Sequence, residues 1–163
     1  MADGLTIRIA GPDDHDAIAM MNQAMDRFYR PGDEPDASAD VVALMERIRA
    51  DRQLGTQVAL AFHGSEPVGI AFFALIHPGR RLGGLLFLKD LFVAEEARSL
   101  GTGEAMMRFL ARFAAAKGIR RIDLTAEPGN AGAQRFYERL GMKVRPAVFY
   151  RLEGEALARL AAD

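Results

Sequence analysis

The sequence predicts one α/β or α+β domain, a β-rich half followed by alternating β and α elements. Two observations carry most of this. The apolar runs "TQVALAFH" and "PVGIAFFALIH" flank "GSE", a turn signal, and read as an antiparallel hairpin in a core. A further apolar run, "GLLFLKDLFV" (84–93), is followed by a helical pattern, a short strand and a second helical pattern. With 163 residues and no repeat or inter-domain linker, a single domain spanning 1–163 is the expectation.

The elements follow in order. "LTIRIA" alternates Leu5, Ile7 and Ile9 with polar neighbours, the period of a half-buried strand. Pro12 and Asp13 open a helix in which Ile18, Met21, Met25 and Phe28 recur at spacings of three and four. "YRPGDEPDASAD" breaks that pattern, and Ser38 is a candidate N-cap for a second helix carrying Val41, Leu44, Met45 and Ile48. Asp33, Glu34, Asp36 and Asp40 cluster here, either as a solvated loop with charge at a helix start or as an attractor for a cation. After the hairpin, run 84–93 is apolar enough to be a strand covered on both faces, yet it contains Lys89 and Asp90, and an unpaired buried charge is costly. "GEAMMRFLARFAAAKG" puts Met106, Leu110, Phe113 and Ala114 on one helical face and stops at Gly118. "RRIDLTA" is a short strand. "NAGAQRFYERLGM" is a helix with Ala133, Phe136, Tyr137 and Leu140 at helical spacing, closed by Gly141. "PAVFYRL" reads as a last strand and "EGEALARLAAD" as a terminal helix.

Composition narrows the chemistry. Lys plus Arg (21) nearly balances Asp plus Glu (22), so no global field favours nucleic acid or an anionic membrane. Without cysteine there is no disulfide, thiolate metal site or acyl-cysteine intermediate. His15, His63 and His77 have no ligand spacing, and no metal is expected. The N-terminal segment lacks a basic stretch followed by a long apolar run, and no 18-residue apolar span follows, so a cytosolic protein is expected.

"RSLGTG" (98–103) lies between the 84–93 strand and a helix. The first amides of a helix lack partners and its dipole is positive there, so such a loop suits a pyrophosphate; an ordinary strand-to-helix turn competes. A dinucleotide loop would need a third glycine where Met106 stands, and no G-x-x-x-x-G-K-[ST] run exists.

"LKDLFVAEEARSLGTGEAMM", followed about thirty residues later by "NAGAQRFYERLGM", resembles the GCN5-related N-acetyltransferase (GNAT) family. Arg98, Gly101 and Gly103 match its acetyl-CoA pyrophosphate loop, and Asn130, Ala133, Phe136, Tyr137, Gly141 and Met142 match its following helix. The resemblance extends through "TIRIAGPDD" and "PVGIAFF", spanning essentially the whole chain, and is loosely closest to diamine acetyltransferase-like members. It implies a mixed, mostly antiparallel twisted sheet of roughly six to seven strands flanked by about four helices.

The resemblance also implies roles. Acetyl-CoA is the donor, held by Arg98, Ser99, Leu100, Gly101, Thr102 and Gly103, by the backbones of Leu91, Phe92 and Val93, and by Asn130, Ala133 and Tyr137. Backbone N–H groups of Leu91 to Val93 polarise the acetyl carbonyl. Asn130 also reads as an N-cap. Tyr137 protonates the departing thiolate, although an aromatic pair on a helix is also ordinary packing. An alkyl amine has a pKa of about 10.4, so a proton acceptor is needed, and Asp90 is the best-placed carboxylate. Lys89 stands where diamine-type members have Glu, which argues against a diamine acceptor; alternatively Lys89 and Asp90 are structural charges at a strand irregularity. The expected activity is acetylation of a primary amine on a small, cationic molecule by direct attack. Its rivals are a protein or peptide N-acetyltransferase and a non-catalytic acyl-CoA-binding module. Diamine-type members imply a homodimer; no nucleic acid or membrane partner is expected.

Overall fold

Alternation along β1 (Leu5–Ile9) turns Leu5, Ile7 and Ile9 inward and leaves Thr6 and Arg8 exposed in the computed structural model, which describes residues 4–29, 31, 55–76 and 84–162. Helix α1 (His15–Tyr29) starts one residue beyond Asp14, whose carbonyl accepts the Ile18 N–H at 2.9 Å. The Asp14 carboxylate accepts the Gly11 N–H at 2.6 Å and both terminal nitrogens of Arg8 at 2.5 and 2.6 Å. One buried acid therefore ties the turn, the helix start and β1 together.

The Arg8 hydrogen bonds hold the Asp14 carboxyl below the ordinary carboxylate range, against the opposing effect of burial. A depressed folded-state pKa stabilises the fold above the unfolded value of about 3.9, and that contribution disappears as pH falls through the folded value. Asp14→Ala should therefore cost about 1–3 kcal/mol at neutral pH. The gap to the wild type in urea midpoint should close below about pH 4 as the wild type loses the same interaction. A gap that persists undiminished in acid would place the stabilisation elsewhere.

Strands β2 (Thr56–His63) and β3 (Glu66–Ile76) form the expected hairpin. The sheet runs β1-β2-β3-β4-β5, with β4 (Leu85–Val93) antiparallel to β3 and parallel to β5 (Ile122–Leu124). Helix α2 (Thr102–Ala116) connects β4 to β5. On one face of the sheet Ile18, Met21 and Met25 of α1 pack with Val58, Leu60, Ile70 and Phe92. On the other, Phe113 of α2 meets Phe73 edge-on at 5.5 Å. A Cβ on Gly69 would stand 2.8 Å from Met106 Sδ, so the missing side chain lets α2 lie close.

Helix α2 ends as its sequence predicts. Gly118 has φ +72, its N–H donates to the Ala115 carbonyl, and the Ile119 N–H donates to Ala114, a Schellman closure. Helix α3 (Ala131–Arg139) ends the same way: Gly141 has φ +83, its N–H reaches the Glu138 carbonyl, and the Met142 N–H reaches Tyr137. Helix α4 (Gly154–Ala162) is the expected terminal helix.

The chain divides into two compact units, Met1–Thr125 and Ala126–Asp163. The first holds the sheet, α1 and α2; the second holds α3 and α4. Five strands are present among the described residues, not six to seven, because "PAVFYRL" forms none. Pro146 has no N–H to give a ladder, and Val148 and Tyr150 are 76% and 87% exposed, so this segment has neither the pairing nor the buried face that stabilise a strand. The described helices include none long and apolar enough to cross a membrane. The predicted helix after Ser38, the acids Asp33, Glu34, Asp36 and Asp40, and His77 lie outside the described residues.

Candidate active site

The two charges inside β4 are explained by a β-bulge. Phe73 pairs with Leu88 and Phe72 with Asp90, so Lys89 is an extra residue with no partner on β3. The bulge reverses the strand's alternation. Leu86 and Leu88, opposite Leu75 and Phe73, lie on the α2 face; Asp90 and Phe92, opposite Phe72 and Ile70, lie on the α1 face. In a regular strand with Lys89 in register, Asp90 would continue the Leu86–Leu88 row into the α2 core. Instead its side chain is 33% exposed and that of Lys89 72%, with Lys89 Nζ 3.1 Å from Asp90 Oδ2. Such an exposed pair contributes little to stability.

Beyond Leu88, β4 loses its neighbour, because β5 pairs only with Leu86 to Leu88. The Ala94 N–H donates to the Val68 carbonyl at 3.0 Å, which puts the even-numbered backbone groups, Phe92 among them, toward β3. The N–H groups of Leu91 and Val93 therefore point to the edge that β5 leaves unpaired. Of the three residues expected to act through their backbones, these two are oriented to do so, and Phe92 serves the ladder and the α1 core.

A 3-10 turn (Glu95–Ala97) leads to Arg98. Arg98 Nε donates to the Val93 carbonyl at 2.9 Å, and its guanidinium lies 4.2 Å from the Phe28 ring centroid and 5.6 Å from that of Phe92. Arg98 thus braces its own loop against the end of α1. Ser99 (φ +64) and Gly101 (φ +82) are left-handed, and Gly101 is the N-cap of α2. The first helical acceptor, the Gly101 carbonyl, takes the Ala105 N–H at 2.9 Å, so the amides of Thr102, Gly103 and Glu104 precede any intrahelical partner. Among the described residues no side chain caps them, and none lies within 4 Å of where a Cβ on Gly101 would stand. Leu100 is exposed and Thr102 is buried at 3%. Uncapped donors beside an open approach fit the phosphates of acetyl-CoA.

The sequence reading missed Tyr29. Phe28, expected in the core, is 50% exposed; its ring centroid is 6.0 Å from Phe92 and 5.1 Å from Tyr29. Partial burial, and then the Asp90 carboxylate, push the Tyr29 phenol above its ordinary range, with Arg98 pulling the other way. Tyr29 therefore shares its electrostatic neighbourhood with Asp90 and Arg98. Only the spacing of Phe28 from Met25 hinted that this end of α1 reached the sheet.

In the second unit, Asn130 Oδ1 accepts the Ala133 N–H at 3.0 Å, the cap its sequence position predicts. Gln134 Nε2 donates to the carbonyls of Glu127 and Pro128, fixing the approach to α3. Tyr137 meets Phe136 edge-on at 5.1 Å, and no residue of the helix is buried.

Known proteins share both the sequence pattern and the fold. The chain is 26% identical over 130 residues to a thialysine N-epsilon-acetyltransferase from Caenorhabditis elegans, covering 77% of this chain and 81% of that one. An integron cassette protein from the mobile metagenome of V. cholerae superposes with a TM-score of 0.82 at 28% identity, over 98% of this chain and 99% of that one. An aminoglycoside N-acetyltransferase in complex with CoA shares the fold, with a TM-score of 0.72 at 19% identity over 90% and 93% of the two chains. The profile of the acetyltransferase (GNAT) family matches residues 18–142, and the chain belongs to that family, as an acyltransferase whose donor is acetyl-CoA.

Proposed function

We propose that this enzyme acetylates a primary amine of a small, cationic molecule by direct attack on acetyl-CoA, with Asp90 accepting the amine proton and Tyr137 donating one to the leaving thiolate. The observation that carries this reading is the bulge at Lys89, which turns Asp90 out of the α2 core and leaves it partly exposed beside the end of α1. Bound acetyl-CoA supplies the activated acetyl group. The amides of Thr102, Gly103 and Glu104 bind its phosphates, the N–H groups of Leu91 and Val93 polarise the carbonyl, and Asn130 and Ala133 hold the pantetheine arm. The family match crosses residue 125, which supports one acetyltransferase domain over 1–163. A thialysine acetyltransferase and an aminoglycoside acetyltransferase bound to sisomicin stand among the relatives and structural neighbours, which favours an amine of this size and charge.

Two measurements test the reading. At about 100 times its dissociation constant, acetyl-CoA should raise the melting temperature by about 5–10 °C, and Gly101→Asp should abolish most of the rise. That change forces a side chain into a left-handed position and sets a negative charge beside the phosphate-binding amides. A thiol-release assay across polyamines, lysine-type amino acids, aminoglycosides and peptides should favour a small cationic amine. A preference for peptides would replace the acceptor assignment, and a thermal shift without turnover on any amine would indicate a binding module.

A further inference from the structure

The proposed acetyl transfer leaves the end of α1 without a role, yet two aromatic side chains there, Phe28 and Tyr29, are about half exposed. They are held in place. The Arg98 guanidinium covers Phe28 at 4.2 Å and is itself fixed by its bond to the Val93 carbonyl; Phe92, on the same face of β4 as Asp90, lies 6.0 Å from Phe28. Tyr29 packs edge-on against Phe28 at 5.1 Å, and its phenol feels the charges of both Asp90 and Arg98. An aromatic ring and a carboxylate at one partly exposed place form a receptor for an alkylammonium: the carboxylate supplies charge, and the ring supplies a π-face that attracts cations.

We propose that Tyr29 determines acceptor specificity, its ring and the Asp90 carboxylate together taking the acceptor's ammonium, with the Arg98–Phe28 stack positioning Tyr29. The inference rests on the acetyltransferase reading of Asp90. Among the described residues, three charges face the ammonium site. Asp90 attracts the cation. Lys89 occupies Asp90 Oδ2, but its side chain is 72% exposed and the contact is weak enough to yield to a better-placed cation. Arg98 repels cations, but its guanidinium lies on Phe28 and Phe92, so the acceptor is confined to the Tyr29 side.

The test uses the full-length enzyme with thialysine and spermidine as probe acceptors. Tyr29→Leu should raise KM for the better probe by about 3- to 30-fold and leave KM for acetyl-CoA within about 2-fold; Tyr29→Phe, which keeps the ring, should restore the amine KM to within about 3-fold. An amine KM unchanged in Tyr29→Leu, or both KM values rising together, overturns the proposal. A second readout needs no acceptor. Phenolate absorbance should show Tyr29 ionising at lower pH in Asp90→Asn than in the wild type, the transition being identified by its loss in Tyr29→Phe. An unmoved transition means the two side chains do not share a site, and the proposal falls while the acetyltransferase reading stands. No thiol release with any amine, despite an acetyl-CoA thermal shift, fails the acetyltransferase reading itself and takes this proposal with it.

Discussion

Asp90→Asn is expected to lower kcat for amine acetylation by about 10²- to 10⁴-fold while leaving the thermal shift with acetyl-CoA intact. Asparagine matches the size of aspartate and keeps the bulge, and at a partly exposed position it creates no buried orphan, so stability should stay within about 0.5 kcal/mol. What it loses is the ability to accept a proton. At pH 7 only about one alkyl amine in 2500 is neutral, given a pKa of about 10.4, so an enzyme without a base must wait for that fraction. The deficit should accordingly shrink as pH rises and solvent supplies the neutral amine. A loss below tenfold, or one that does not vary with pH, would remove Asp90 from the proton path and return it to the role of a charge at a bulge.

Tyr137→Phe should lower kcat by about 10²- to 10³-fold with little change in KM for acetyl-CoA. Phenylalanine retains the ring and its edge contact with Phe136, and the backbone carbonyl that accepts the Met142 N–H is untouched. Only the hydroxyl is lost. A phenol near pKa 10 donating to a thiolate whose thiol has a pKa near 8.5 works uphill by about 2 kcal/mol, a small cost beside that of expelling an unprotonated thiolate at neutral pH. Above about pH 8.5 the thiolate is itself the stable product, and the two enzymes should converge. A mutant equal to the wild type at pH 7 would leave Tyr137 as a packing residue.

The elements that can be read from the sequence are those governed by neighbours along the chain. The two-residue alternation of β1, the turn between β2 and β3, the glycines closing α2 and α3 and the Asn130 cap all act within a few residues, and the structure has each of them. The features that escaped depend on partners in another element. Arg8 and Asp14 each look like surface charges until β1 and the start of α1 meet. The motif offers Arg98 either a phosphate or its own loop; that its Nε reaches the Val93 carbonyl and its guanidinium covers Phe28, 70 positions earlier by residue number, shows only once the loop meets the end of α1. Tyr29 carries no motif and becomes visible only through Asp90. "PAVFYRL" has strand composition without strand pairing, since propensity describes fit to a pleated surface and does not supply one.

The unpaired residue in β4 makes the strand behave as a text with two reading frames. Leu85 to Leu88 are written in one and Asp90 to Val93 in the other, and Lys89 is the inserted character that switches between them. Were the bulge smoothed out with Lys89 kept in register, everything downstream would be rewritten: Asp90 would be sent into the hydrocarbon beneath α2, Phe92 would leave its place against α1, and the outward-pointing amides would exchange places with those that bind β3. A single-residue deletion within a regular strand ordinarily turns every side chain beyond it to the opposite face. Here deleting Lys89 would join Leu88 directly to Asp90, restore an unbroken ladder with Phe72 still opposite Asp90 and Ile70 still opposite Phe92, and leave the side chains of β4 on the faces they already occupy.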